Sequence, residues 1–258
     1  MSEVIIRRLH GVEQLEDARF VCDTVWPSVI TGTEITQNLL TAMEHAGGYV
    51  SAAYLASAPT DPVGAVISFL GRHKDADGEW HMHLHSHMAA VLEHARDKNI
   101  GTLLKRDQRS WAIETGIDVI TWTFDPLVRR NARLNVRKLG AGVSEYLVNF
   151  YGDMNDELNN GDESDRFMAW WEVKSPQVVA AMESALPALS VIPEGAVVVE
   201  LPDDIIEIRT ENPALAAEWR VRVRTQILDA MEQGLELVGL DSYDNYVFAS
   251  KGAAHAHS

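Results

Sequence analysis

Four histidines alternate along His81-Met-His83-Leu-His85-Ser-His87. On a β-strand that spacing turns all four imidazoles to one face. Imidazole titrates near neutrality, so such a face suits proton transfer, and two histidines at i, i+2 also suit zinc. The strand continues through Ala90-Val91-Leu92 to a polar turn, Glu93-His-Ala-Arg96-Asp97-Lys98-Asn99. A helix then starts at Ile100-Gly101-Thr102 and runs to Trp111. A strand, a turn and a helix start with a glycine in its first turn aim several backbone N–H groups at one point, the usual way a chain grips an anion. Between His94 and Arg109 five side chains are basic (Arg96, Lys98, Lys105, Arg106, Arg109) and two are acidic (Asp97, Asp107). A pyrophosphate and a solvated helix end fit this turn equally well.

The positive island stands out because the 258-residue chain carries a net charge of −16. An acidic surface argues against nonspecific binding to nucleic acid or anionic membranes, but not against a small anion held by a local basic patch. No stretch approaches the ~20 apolar residues of a membrane helix. The N-terminal residues lack the apolar core of a secretory signal. The one cysteine, Cys22, has no disulfide partner and reads as a small buried residue. The cytoplasm is the expected compartment.

The elements that must position this stretch follow from periodicity. Strands are expected at 4–9, 49–56, 63–70, 81–92, 117–124, 143–151 and 166–173. Helices are expected at 12–25, 34–45 (capped by Thr33), 100–115 and from Asp125-Pro126 to Lys138, with a loop over 72–79. The order β-α-α-β-β-β-α-β-α-β-β mixes hairpins with helical crossovers, which predicts an α/β (α+β) fold with a mixed central sheet flanked by helices. Ser175-Pro176, Pro187, Pro193 and Gly195 mark a looser connection. Two domains are therefore expected, 1–174 and a smaller α/β extension at 175–258 with a long helix from Pro213 to Gln233.

The run Arg96-x-x-Asn99-x-Gly101 resembles the acyl-CoA-binding signature Gln/Arg-x-x-Gly-x-Gly/Ala of the GCN5-related N-acetyltransferase superfamily. The strand order over 4–174 is similar to that fold. Ala132-Arg-Leu-Asn-Val136-Arg-Lys-Leu-Gly140 looks like a second pattern of the superfamily. The string Ile120–Leu127, Asn131-Ala132, Lys138–Ala141, Asn149–Gly152 and Ser164–Arg166 resembles a bacterial branch of predicted acetyltransferases with a C-terminal extension. Three departures stand out. Asn99 replaces a glycine, although asparagine tolerates positive φ. Asp97 adds negative charge beside an anion site. Val136 stands where many members carry the tyrosine that protonates the departing thiolate, leaving Tyr146, Tyr151 or water.

The resemblance implies acetyl-CoA or another acyl-CoA as co-substrate and no metal. It implies a small-molecule or amino-acid amine as acceptor, and no nucleic-acid or membrane partner. A second copy of the chain as partner is left open. Ala90, Val91, Leu92, Arg96, Asp97, Lys98, Asn99, Ile100, Gly101, Thr102 and Asn131 would hold the co-substrate. His85 or His87 would accept the amine's proton. Arg129 or Arg130 would bind an acceptor carboxylate or a succinyl donor. The histidines also fit a structural role or a metal site. Asp162, Glu163 and Asp165 read as a solvated loop. A non-catalytic acyl-CoA-binding sensor or scaffold is the alternative function, and a metal-dependent hydrolase the third.

Overall fold

The computed structural model describes residues 3–27, 33–75, 77–96, 98–152 and 162–251. Asp97, residues 153–161 and residues 252–258 lie outside them. The chain forms two compact units, Met1–Trp122 with Glu172–Lys174, and Thr123–Trp171 with Ser175–Ser258. This differs from the division expected near residue 175. Residues 123–171 share a core with the C-terminal segment. The Phe167 and Tyr246 rings meet at 5.3 Å, and the Tyr246 hydroxyl donates to Pro126 O at 3.0 Å.

The first unit contains β1 (Val4–Arg8), α1 (Gly11–Val25), α2 (Gln37–His45), β2 (Val50–Leu55), β3 (Ala58–Lys74), β4 (Trp80–Val91), α3 (Ile100–Glu114) and β5 (Val119–Phe124), whose last two residues belong to the second unit. Strands β1 to β5 lie side by side in chain order. Pairing is antiparallel through β4, and β4 and β5 are parallel at Leu84↔Ile120 and His85↔Thr121, so the sheet is mixed as expected. The hairpin β3–β4 is longer than its charged tip suggests. Lys74 pairs with Trp80, and Arg72 and Lys74 lie 4.6 and 5.2 Å over the Trp80 ring, so their stems extend the strand. Helix α2 starts three residues late, because Thr36 rather than Thr33 accepts a first-turn N–H, that of Leu39. Thr33 bonds Asp23 and Ile35 instead.

Helices cover both faces of this sheet. Ala65 and Ile67 of β3 pack into one apolar cluster with Leu15, Ala18, Val21 and Cys22 of α1. Burial and Asp23 push the Cys22 thiol up to about 12, so it behaves as a small apolar group. Gly64 faces α3 so closely that a Cβ there would lie 2.8 Å from Ile100 Cγ2. A β-bulge changes the phase of β4. Ile67 pairs with Met88 and Ser68 with Ser86, which leaves His87 as the extra residue. Met88 and Ala90 therefore join the α1 core, whereas Ser86 turns toward α3.

The second unit holds α4 (Arg129–Ala132) continued by a π-helix to Lys138, the antiparallel pair β6 (Gly142–Leu147) and β7 (Arg166–Glu172), and α5 (Pro176–Glu183). After these come β8 (Val197–Val199), α6 (Ile205–Glu211), α7 (Pro213–Glu232), β9 (Glu236–Leu240) and β10 (Tyr246–Ala249). The last three strands form a sheet ordered β8-β10-β9. Ser175 and Asn212 cap α5 and α7 as their Ser-Pro and Asn-Pro dipeptides predict. The helix expected from Asp125 begins later, because the Asp125 carboxylate first accepts the Leu127 N–H at 2.9 Å in a local turn. Helix α6 escapes the periodicity. Among the described residues, no helix is long and apolar enough to cross a membrane.

Candidate functional site

The turn before α3 is built by one unusual backbone position. Asn99 has φ 59° and ψ 18°, the left-handed region, and its side chain makes no capping bond. Asparagine is among the few residues that adopt this conformation at modest cost. A short 3-10 turn over Glu93–Ala95 leads into it. The first intrahelical bond runs from Leu103 N–H to Asn99 O at 3.1 Å. Helix geometry thus leaves the amides of Ile100, Gly101 and Thr102 without an intrahelical acceptor. A Cβ on Gly101 would meet nothing within 4 Å, so space is open above the helix start.

The positive island is smaller than the sequence suggests. Arg96 and Lys98 are exposed, with Arg96 3.9 Å from Glu93 and Lys98 donating to His94 O at 3.2 Å. Arg109 donates to Val173 O at 2.6 Å. Lys105 is buried.

Strand β4 contributes its outer edge. Leu92 N–H donates to Val63 O at 2.9 Å, and antiparallel alternation sends the amide of Ala90 the same way. Val91 N–H therefore points to the opposite edge, where pairing with β5 ends at His85↔Thr121. This corrects the expected trio. Ala90 and Leu92 have their amides committed to β3, and Val91 is the donor facing outward.

The histidine row divides. His81 bonds Asp75 at 2.7 Å, and His73 Nδ1 lies 3.3 Å from His83 Nδ1, a structural role for the outer pair. His85 and His87 lie with their rings 6.2 Å apart, each against Phe69 (5.0 and 5.8 Å). His85 Nδ1 is 3.0 Å from Thr121 Oγ1. Burial lowers the His85 imidazole to about 4, aided by His87, His83 and Lys105, and burial lowers His87 too. Among the described residues, no group of three or more His, Cys, Asp or Glu is arranged to hold a metal ion.

Sequence reasoning missed Lys105. It lies on the buried face of α3 with Ile100, Leu104, Gln108 and Ala112, and is 5% exposed. Its Nζ donates to Ser86 Oγ at 2.8 Å and Gln108 Oε1 at 3.1 Å, and lies 3.9 Å from the Trp122 ring centroid. Burial lowers its ammonium to about 7. The i, i+4 series 100, 104, 108, 112 carries the signal.

The remaining candidates lie in the second unit. Asn131 is half-buried, its N–H bonded to Val128 O at 2.8 Å, and Arg130 is exposed. Arg129 is not available as a carboxylate clamp. Its guanidinium bonds the carbonyls of Pro202, Leu201 and Tyr243 and pairs with Asp203 at 3.3 Å. The Tyr146 hydroxyl donates to Asp165 at 2.6 Å, and burial and that bond push it far up. The Tyr151 hydroxyl lies 2.8 Å from Thr123 Oγ1 on a residue 40% exposed. Asp125 is a core residue. Asp125 and Asp162 pair with both Arg209 (2.5 and 2.9 Å) and Arg220 (3.0 and 2.7 Å). Asp165 and Glu163 bind Arg224. The side chains of Asp162 and Asp165 are thus buried against arginines, Glu163 stays exposed, and the cluster is not a cation site. A depression of about 150 Å³ beside it is lined by Asp162, Glu163, Arg209 and Arg220, two carboxylates against two guanidiniums.

No protein-family model and no curated protein matches the chain. Solved structures do show similarity. The NatC complex bound to Gag peptide and CoA has 15% identity over 66% of this chain and 98% of that one, at a TM-score of 0.49. FeeM, an N-acyl amino acid synthase from uncultured soil microbes, has 14% over 70% and 98%, at 0.49. A GNAT family acetyltransferase from Elizabethkingia anophelis with acetyl-CoA bound has 16% over 66% and 97%, at 0.44. These likenesses are remote, and the functional reading rests on this chain's own residues.

Proposed function

We propose that the chain is an acyl-CoA-dependent N-acyltransferase of the GCN5-related type, moving an acetyl or succinyl group to the amine of a small molecule or amino acid. One observation carries the reading. Asn99 holds the left-handed position of an Arg96-x-x-Asn99-x-Gly101 turn that opens onto unsatisfied helix amides. The pyrophosphate would sit on the amides of Ile100, Gly101 and Thr102 with Arg96 and Lys98 beside it. Val91 N–H would accompany the acyl arm along the outer edge of β4 and polarise the thioester carbonyl.

The reaction forms a C–N bond as the C–S bond breaks, with the amine's proton lost and the CoA thiolate protonated. An imidazole near 4 is a poor sink for an ammonium proton near 8–10, a gap of about 4–6 units or roughly 5–8 kcal/mol. His85 therefore suits a neutral hydrogen-bonding role through Thr121, and His87, with its exposed edge, is the better proton acceptor. The low basicity of His85 and buried Val136 favour one rival reading, a non-catalytic acyl-CoA-binding protein. Turnover of acetyl-CoA and succinyl-CoA with an amine panel, read as released thiol, separates them. The enzyme releases thiol in proportion to amide formed, and His87→Ala slows it without weakening acetyl-CoA binding. Saturable binding with no turnover supports the sensor.

A further inference from the structure

Helix α3 joins two features, the proposed pyrophosphate turn at its N-terminus and Lys105 on its second turn. We propose that Lys105 takes up a proton when the acyl-CoA pyrophosphate binds at the start of α3, so that co-substrate binding is coupled to charging a buried lysine. The inference rests on the acyl-CoA reading above.

The surroundings of Lys105 accept both protonation states. A neutral amine and an ammonium can each donate to Ser86 Oγ and Gln108 Oε1, and the Trp122 ring face adds attraction for the cation. Gln108 also donates to Ser68 and Ser86, so this polar ring is bonded in either state. The groups that meet Lys105 from β4 and β5 are Ser86 and Trp122, and Ser68 of β3 is linked to it through Gln108; all are uncharged. Across the sheet, His85 is lowered by Lys105 rather than the reverse, and as a neutral imidazole it places no charge against Lys105 between about pH 6 and 8. On α3 itself, Asp107 is held by Tyr49 at 2.5 Å and by Arg8 at 3.4 Å, Arg109 by Val173, and Arg106 is exposed. No carboxylate among the described residues bonds Lys105, so burial sets its proton affinity, lowering it to about 7.

Five residues of helix separate Lys105 from Ile100, roughly 7.5 Å along the axis. At about 10 Å and an effective dielectric of about 20, each added negative charge shifts an ammonium upward by on the order of one pKa unit. A pyrophosphate therefore converts a half-neutral lysine into a charged one. The proton comes from the buffer to Nζ and no other bond changes.

Calorimetric titration of the full chain with acetyl-CoA, in two buffers of different ionisation enthalpy, counts the protons. At about pH 8 the expected uptake is on the order of half a proton or more, falling toward none at about pH 6, where Lys105 is already charged. Lys105→Met and Lys105→Gln, neither titratable, should lose the uptake at pH 8, and His85→Ala should keep it. Buffer-independent enthalpy at pH 8 in the unmodified chain overturns the proposal whether or not the variants fold. Undiminished uptake in a folded Lys105 variant overturns it too. Failure of acetyl-CoA to bind the unmodified chain overturns the acyl-CoA reading itself, a separate result.

Discussion

The two units bury cations in opposite ways. In the second, the guanidinium of Arg220 is 1% exposed and lies against two carboxylates, Asp125 and Asp162, which Arg209 also binds. In the first, the Lys105 ammonium is equally enclosed but has only a hydroxyl, an amide and an indole ring as partners. Burial opposes charge in both, yet the outcome depends on the neighbours. Where the counter-charges are complete, the arginine stays charged and the Asp125 carboxyl is held well below its usual range, because Arg220 and Arg209 outweigh its burial. Where they are missing, the lysine drops to the edge of neutrality. The paired cluster is a structural fixture. The unpaired cation lies on the helix that begins at the candidate binding turn and can respond to what binds there.

The largest expected effect breaks the paired side. Asp125→Ala leaves Arg209 and Arg220 short of a carboxylate and should destabilise the second unit by about 3–5 kcal/mol, read as the midpoint of chemical denaturation. A loss near zero would show the cluster to be solvated. The pH response has a definite sign. The Asp125 contribution is present above its unfolded value, about 3.9, and is lost as pH falls below that toward the depressed folded value.

The unpaired side should behave in reverse. Lys105→Met removes a poorly compensated charge and should raise stability at neutral pH by on the order of 1–3 kcal/mol, measured by the same denaturation. Because the folded value of about 7 lies below the unfolded value of about 10.4, the cost of burying Lys105 is fully present below pH 7 and is relieved as pH rises toward 10. The gap between Lys105→Met and the unmodified chain should narrow over that window, and a constant gap would place the stability effect elsewhere. The smallest effect tests the turn. Asn99→Ala, forced to a positive φ of 59°, should cost about 1 kcal/mol, and Asn99→Gly should be near neutral.

Much of the first unit was legible in the chain because local rules govern it. Period-two alternation exposed the histidine face, and the tolerance of asparagine for positive φ fits the turn at Asn99 before α3. The bulge at His87 was not legible, since it depends on register against β3. Nor was the depth of Lys105. Long charged side chains usually reach solvent, and two leucines at 103 and 104 leave the helix phase ambiguous. In the second unit, Asp125 meets Arg209 across 84 residues and Arg220 across 95, distances over which no spacing rule operates. An Asp-Pro dipeptide read as a helix start thus turned out to anchor a buried ion cluster.

The proposed function depends on acyl-CoA binding at the turn before α3. Titration calorimetry of acetyl-CoA into the unmodified chain and into Gly101→Asp tests it directly, because a Cβ at Gly101 meets open space and leaves the fold intact. Saturable binding is expected for the unmodified chain and none for the folded Gly101→Asp variant, where a carboxylate occupies the anion's place. Equal affinity for both proteins would contradict it.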